Sequence, residues 1–226
     1  MRQLTDAELD QVKKTIAAKD LSSAEILLEI YDHYLSHLES FGQAEFDAQM
    51  EELQEKFTYS YCHSLQIKFA KASKKEIFRL QWSIFKSYFS WPRFIGTALF
   101  LALMIFLWET IDPKTKVLTL VIPLVFSMLL TGWIFYKSYK KVRAIKNTLK
   151  SHNTVKSSYL DAILGQFSLL TSSLNLFVLF PKIFGTPNFF DSTYFLAIGF
   201  FLLFGYLGYT LTLFEAWKIK SKTALI

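Results

Sequence analysis

Four long runs of apolar residues constrain this 226-residue chain more than any other feature. They cover residues 94–111, 118–136, 160–180 and 194–214, and each lacks a charged side chain in its central part. A helix needs about 17–25 apolar residues to cross a bilayer, where it satisfies its own backbone hydrogen bonds. The sequence therefore predicts an all-α integral membrane protein with four transmembrane helices in a membrane domain at 94–217.

The distribution of lysine and arginine predicts how these spans are oriented. The connection at 137–159 carries seven basic residues and the basic tail at 218–226 carries three, whereas the loops predicted on the opposite side contain only Lys114, Lys116 and Lys182. Cytoplasmic loops are enriched in basic residues, so we expect a multi-pass protein of a bacterial inner membrane with both termini in the cytoplasm. The first ten residues lack the apolar run of a cleavable signal peptide, so the first span is expected to direct insertion.

The first 58 residues differ from the rest in charge. They carry five basic and thirteen acidic residues, a net charge of −8, whereas the other 168 carry twenty basic and six acidic residues, a net charge of +14. Apolar residues recur at helical spacing over roughly 6–18, 23–41 and 44–57. We predict a cytosolic three-helix bundle at 1–58 that leans on other parts of the chain, because so small a core is marginal alone. The candidates for its inner faces are Leu9, Val12, Ile16, Leu27, Ile30, Tyr31, Tyr34, Leu38, Phe41, Phe46, Met50, Leu53 and Phe57.

Local signals predict how these helices begin and end. The stretches Thr5 to Glu8 and Ser22 to Glu25 both fit a capping box, in which a hydroxyl and a carboxylate satisfy amides of the first helical turn. Gly42 is placed to end the second helix.

Residues 59–93 combine seven basic side chains with aromatic residues at helical spacing. The aromatic positions Phe78, Trp82, Phe85 and Phe89 predict an amphipathic juxtamembrane segment near the membrane surface, with its lysines directed toward lipid headgroups. The alternative is a helix packed on the N-terminal bundle, and the sequence leaves both interpretations open.

Residues 29–39, EIYDHYLSHLE, concentrate titratable side chains on the second predicted helix. Glu29, His33 and His37 follow i, i+4, i+8 spacing and therefore share one face. A metal site needs three or four converging ligands and a pH-sensitive contact needs a titrating histidine, whereas a solvated or protein-docking face needs neither. We favour a docking face, expect no bound metal ion, and assign to that face Glu29, Asp32, His33, Ser36 and His37.

This second helix, with the glycine and the third helix that follow it, resembles the small N-terminal helical prefix domain called HAAS. It is also similar to related cytosolic domains that precede transmembrane helices in many bacterial proteins. The resemblance covers about residues 4–57, and the departure from it is Ile30-Tyr31, where the family more often has aliphatic residues. It implies an interaction or regulatory module rather than a catalytic one. The matching positions are Glu29, Asp32, His33, Glu39, Gly42 and Phe46.

Small and polar side chains distinguish the third predicted span. Ser168, Ser172 and Asn175 share one face, and the fourth span offers Gly205 and Gly208 on a similar stripe. Small residues let membrane helices approach closely, which predicts packing of the last two spans, within the chain or between copies. The alternative is a polar path or lipid-binding groove on the third span, as in a component of a transporter or a membrane-embedded enzyme.

No sequence motif of enzyme chemistry accompanies these features. Cys62 is the lone cysteine, so no intrachain disulfide is expected, and nothing in the sequence orients it with His63 as nucleophile and base. We expect no catalytic residue and no cofactor. The predicted function is a non-enzymatic regulatory or protein-interaction membrane protein. Its expected partners are the lipid bilayer, a cytosolic or membrane protein and a second copy of the chain, but not nucleic acid, because the basic residues flank the apolar runs.

Overall fold

The computed structural model describes residues 2–112, 115, 121–149, 154–183 and 193–223, and its regular secondary structure within them is helical. The prediction of an all-α chain is confirmed for these residues, whose sole β-type feature is an isolated bridge between Ser23 and Lys156. A short 3₁₀ turn, Gln43–Glu45, precedes α3. The helices are α1 Asp6–Ala17, α2 Ala24–Leu38, α3 Phe46–Lys56, α4 Tyr59–Tyr88, α5 Arg93–Thr110, α6 Val121–Thr148, α7 Ser158–Ile183 and α8 Thr193–Thr223.

The chain divides into two compact units, and neither is continuous in sequence. The N-terminal unit comprises Met1–Lys75, Tyr136–Ala162 and Lys220–Ile226, and the apolar unit comprises Glu76–Phe135 and Ile163–Ile219. The bundle predicted at 1–58 therefore belongs to a larger unit. Helices α4, α6, α7 and α8 each contribute residues to both units.

The core of the N-terminal unit follows the helical spacing of the sequence. Val12 and Ile16 of α1, like the predicted inner positions of α3, are buried, and Leu9 is half-buried. Of the positions predicted for the second helix, Tyr31 and Phe41, the latter beyond the end of α2, are half-buried, and the remaining four are buried. The first of the two predicted capping boxes is confirmed: the Thr5 hydroxyl accepts from the Glu8 amide, and the Glu8 carboxylate accepts from the Thr5 amide at 2.7 Å.

Other parts of the chain pack into the core of the bundle. Cys62 of α4, Val142 and Leu149 of α6, and Val155 are all buried in the same core as the three short helices. The connection predicted at 137–159 is mostly helical, since α6 continues to Thr148. Its described basic side chains are largely exposed while Val142, Leu149 and Val155 are buried, so burial of hydrocarbon holds this segment on the bundle.

The second predicted capping box is wrong. Ser23 is the N-cap residue of α2, but its hydroxyl makes no capping bond. The Glu25 carboxylate instead accepts from the Ser157 hydroxyl at 2.5 Å and from the Ser158 amide at 3.0 Å. These donors lie beyond Val155, and a charged acceptor that serves a second segment is not available to cap its own helix.

The predicted role of Gly42 is also wrong. Helix α2 ends at Leu38, with Glu39 as its C-cap residue. Gly42 has a φ of −70° and begins the 3₁₀ turn, where its amide donates to the Glu45 carboxylate at 3.2 Å. The glycine therefore does not use the left-handed conformation that ends many helices.

The helices of the apolar unit run alongside α8. Contacts between α5 and α8 show that these helices are antiparallel, because residue numbers rise along one and fall along the other. Contacts of Ser127 with Tyr206 and of Trp133 with Phe214 show that α6 runs in the same direction as α8. The α5–α8 contacts are Arg93 with Glu215, Phe100 with Phe204, and Trp108 with Phe200.

Two helices of the described chain are long and apolar enough to cross a membrane, Arg93–Thr110 and Ile198–Lys222. They coincide with the first and fourth predicted spans. Much of the apolar surface around them points outward: Leu99 is 70% exposed, Leu169 is 71% exposed and Phe201 is 72% exposed. Such a surface is typical of contact with lipid or with another apolar body.

Candidate functional site

A groove in the N-terminal unit contains three of the five residues predicted as a docking face. It has a volume of about 300 Å³ and lies where α2, α3 and the first turns of α4 meet. Glu29, His33 and His37 line it from α2. Its apolar part consists of Ile26, Ile30, Leu53, Phe57 and Leu65, and its other polar lining residues are Lys56 and Tyr61.

The two histidines of α2 are held in different ways. His37 Nε2 lies 2.7 Å from Gln49 Oε1, a hydrogen bond that ties α2 to α3. The His33 ring is exposed, with its centroid 6.0 Å from that of Phe57. His37 therefore fixes one side of the groove, while His33 lines it with an exposed ring.

Phe57 contacts several of the other residues around the groove. Its ring contacts Tyr34 and Tyr61 at centroid distances of 5.7 and 6.0 Å, and the Lys56 ammonium lies 6.0 Å from its centroid. The Tyr34 hydroxyl donates to the Leu53 carbonyl at 3.2 Å, so the floor of the groove is anchored to α3. An apolar floor with a polar rim suits a side chain of mixed character rather than a small ion.

The remaining predicted docking residues lie elsewhere on α2. Asp32 and Ser36 are exposed and are outside the lining of the groove. The helical period explains this split: Glu29, His33 and His37 are four residues apart, whereas Asp32 and Ser36 lie one position before a member of that series.

Metal binding and nucleophilic catalysis find no support among the described side chains. None of these residues forms a group of three or more His, Cys, Asp or Glu side chains placed to hold a metal ion. The Cys62 thiol is fully buried and lies 3.7 Å from the Phe57 carbonyl, and burial raises its pKa, which disfavours the reactive thiolate. Its neighbour His63 contacts the Lys19 carbonyl at 3.2 Å, so it acts as a link between α4 and the loop after α1.

Sequence reasoning missed the part of the groove contributed by α4 and by the end of α3. Tyr61 and Leu65 are spaced i, i+4, and they follow Phe57 by the same interval. That periodicity continues the apolar stripe of α3 into α4 and could have identified Tyr61 and Leu65. Lys56 gave no such signal, because an isolated lysine at a helix end is usually solvated.

The polar face of the third predicted span lines a second opening, within the apolar unit. Ser168 and Ser172 of α7 line a cleft of about 360 Å³ together with Ser127 and Thr131 of α6. The Thr131 hydroxyl donates to the Ser127 carbonyl at 2.7 Å, the local bond that hydroxyl residues make inside helices. The Asn175 side chain lies outside the described residues.

Gly205 and Gly208 of α8 have open space before them, since a Cβ at either position would meet no atom within 4 Å. Close packing of the last two spans through these glycines therefore stays a prediction, and so does the alternative of a polar path on the third span.

Comparisons with protein-family models, curated proteins and solved structures found no match to this chain.

Proposed function

We propose that the chain is a four-span bacterial inner-membrane protein whose cytosolic N-terminal unit binds a basic amphipathic segment of a partner protein. The groove between α2, α3 and α4 is the binding site in this proposal. Binding of the partner there regulates the membrane domain. The observation that carries the proposal is the groove itself, with an apolar floor and polar rim on an otherwise acidic helical bundle.

The membrane part of the proposal is supported by the apolar unit. Its outward-facing leucine and phenylalanine side chains need an apolar solvent. The directions of α5, α6 and α8 agree with alternating passes, in which the first and fourth spans are antiparallel and the second and fourth are parallel. Exposed aromatic residues of α4, including Phe78 and Trp82, suit the interface between water and lipid.

The partner chemistry follows from shape and charge. An amphipathic helix laid in a groove uses a few apolar anchors and a charged rim. The first 58 residues carry a net charge of −8 and supply eight of the ten lining residues of the groove, so a basic partner is favoured locally, although the other segments of the N-terminal unit are basic. Ile30, Leu53 and Phe57 offer the apolar floor, and Glu29 offers the nearest acceptor for lysine or arginine.

Orientation can be tested with single cysteines, because the native Cys62 is buried and provides a silent background. Ser36→Cys and Thr115→Cys place thiols at exposed positions on opposite predicted sides of the membrane. We expect a membrane-impermeant maleimide to label position 115 in intact cells and position 36 only after the inner membrane is opened. Labelling of position 36 in intact cells contradicts the proposed orientation.

Groove binding can be tested with photo-reactive residues in intact membranes. A probe at Glu29 faces the groove, whereas a matched probe at Asp32 on the same helix does not. We expect one protein adduct at position 29, its loss when His33→Trp covers the groove, and a weaker adduct at position 32. Capture of the chain's own segments at position 29 would make the groove an internal surface and refute the proposal.

A further inference from the structure

A cleft in the apolar unit combines an apolar body with a charged mouth. It has a volume of about 450 Å³ and lies between the first half of α5 and residues 204–215 of α8. This volume falls in the range of about 300–1,000 Å³ that is usual for ligand pockets. Tyr88, Arg93 and Glu215 cluster at one end of the cleft, which we call its mouth.

Two glycines create the apolar part of the cleft. A Cβ at Gly96 or Gly208 would meet no atom within 4 Å, so neither glycine is required by a close approach of two helices. Their missing side chains leave a slot beside Phe100 and Phe204, whose ring centroids are 6.2 Å apart. Thr97 also lines the cleft, but its hydroxyl donates to the carbonyls of Tyr88 and Arg93. A slot with aromatic walls and its one neighbouring hydroxyl bonded to backbone suits a flexible hydrocarbon chain.

The charged groups at the mouth are only loosely paired. Arg93 Nη1 lies 3.6 Å from Glu215 Oε2, beyond hydrogen-bonding distance. Arg93 Nη1 also donates to the Ser87 hydroxyl at 3.0 Å, and Glu215 Oε1 accepts from the Tyr88 hydroxyl at 3.1 Å. A guanidinium has five N–H donors and a carboxylate has about four acceptor positions, so both groups can bind a further ligand.

Tyr88 keeps the Glu215 carboxylate in place. Burial first, and then the negative charge of Glu215, raise the pKa of the Tyr88 phenol, so the hydroxyl stays protonated and continues to donate. The carboxylate is thereby held through Oε1, while Oε2 lies 3.6 Å from Arg93 Nη1.

We infer that this cleft binds one membrane phospholipid with a phosphoethanolamine headgroup, its phosphate at Arg93, its ammonium at Glu215 and part of one acyl chain in the glycine-floored slot. The inference rests on the proposed membrane location of the apolar unit. One positive and one negative group at the mouth match a zwitterionic headgroup, whereas Glu215 disfavours an anionic one. A guanidinium is well suited to phosphate.

The primary amine is the feature that Glu215 selects. A primary ammonium donates up to three hydrogen bonds, one of which can reach a carboxylate oxygen. The trimethylammonium group of phosphatidylcholine has no N–H donor and can offer only its charge. The expected selectivity is therefore for phosphatidylethanolamine over phosphatidylcholine, and also over phosphatidylglycerol.

The test uses the full chain, purified from membranes and placed in nanodiscs with equal amounts of these three phospholipids. Lipids that stay bound after transfer to detergent are counted by mass spectrometry. We expect one phosphatidylethanolamine per chain, enriched roughly tenfold over either competitor, as one charge-assisted hydrogen bond provides.

Matched variants locate the site. Gly96→Leu fills the slot and should abolish lipid retention, whereas Gly205→Leu, on α8 and also open to space but outside the cleft, should leave it unchanged. Glu215→Gln should make the retention of phosphatidylethanolamine and phosphatidylcholine equal. Circular dichroism and gel filtration check that each variant is folded, and if one leucine variant fails that check, Glu215→Gln still tests the headgroup.

Several results would overturn the inference: equal retention of the three lipids, preference for phosphatidylglycerol, or full retention by folded Gly96→Leu. Displacement of the lipid by millimolar soluble phosphoethanolamine or inorganic phosphate would assign the mouth to a free phosphate compound instead. Resistance of the chain to alkaline extraction from membranes distinguishes failure of the lipid site from failure of the proposed membrane location. A chain that resists extraction but shows no lipid preference refutes only the lipid site, whereas an extracted chain refutes the membrane location itself.

Discussion

Leucine occupies opposite environments in the two units. Leu27 and Leu38 of the N-terminal unit are each 1% exposed, whereas Leu99 and Leu129 of the apolar unit are each 70% exposed. In the N-terminal unit, apolar residues follow one stripe of each short helix and charged residues cover the rest. In the apolar unit, apolar residues surround the helix. The comparison teaches that the arrangement of apolar residues around a helix, rather than their number, indicates which solvent the helix is built for.

The largest expected effect comes from shortening a buried leucine of the N-terminal unit. Leu27→Ala should destabilise the N-terminal unit by about 2–5 kcal/mol, because it removes hydrocarbon from a packed core and leaves a cavity. The measurement is hydrogen exchange of the α2 amides in the full chain in nanodiscs. The matched control is Leu99→Ala, which should change the free energy of unfolding obtained from these exchange rates by less than about 0.5 kcal/mol. Equal effects of the two substitutions would refute the contrast between the units.

The next effect concerns an exposed leucine of the apolar unit. Leu99→Arg replaces an outward-facing side chain of α5 by a charge, which should disfavour membrane insertion by roughly 3 kcal/mol. The measurement is the inserted fraction of the full chain in a translocon assay. Lys71→Arg, at an exposed position of the N-terminal unit, should leave insertion unchanged. Normal insertion of Leu99→Arg would mean that this surface does not face lipid.

A smaller effect is expected where two segments of the N-terminal unit meet. Glu25→Ala removes the acceptor for the buried Ser157 hydroxyl and for the Ser158 amide, which should cost about 1–3 kcal/mol. Faster hydrogen exchange at residues 155–160 is the expected readout. Glu29→Ala, at an exposed position four residues along the same helix, is the control. Similar exchange in both variants would show that this junction contributes nothing to stability.

The smallest effect concerns acid sensitivity of the N-terminal unit. Bonds from Arg2 and then from Thr5 lower the pKa of Glu8 from 4.5 to about 2. Its stabilising contribution is therefore fully present above its ordinary pKa and is lost as the pH falls from about 4.5 to about 2. Arg2→Gln should raise the pH at which α1 begins to lose protection from hydrogen exchange. An unchanged acid transition in that variant would contradict this role for the Arg2–Glu8 pair.

Local structure was predictable where neighbouring residues alone decide it, but not at Glu25 and Gly42. The Thr5–Glu8 capping box and the buried stripe of α3 both arise within one or two helical turns. The core contribution of 137–159 was not predicted, although Val142, Ile145 and Leu149 recur at i, i+3, i+7. Seven basic residues in this stretch favoured the interpretation of a solvated connection.

The candidate site was predictable only in part, for the same reason. Helical spacing identified Glu29, His33 and His37 as one face, and the structure places these three in one groove. The groove also needs Tyr61 and Leu65, and their approach to α2 depends on the turn after Phe57. Glu25 shows the limit most clearly, since its partner Ser157 lies 132 positions away and no local pattern links them.

The discontinuous core of the N-terminal unit has a consequence for the time course of biosynthesis. Phe57 and Val155 share that core but are separated by 98 positions in the chain. At about 5–20 residues per second, a ribosome needs roughly 5–20 s to cover that interval. During this time the nascent bundle exposes the apolar surface that Val142, Leu149 and Val155 later cover. The N-terminal core is therefore completed only after α5 and α6 have been synthesised.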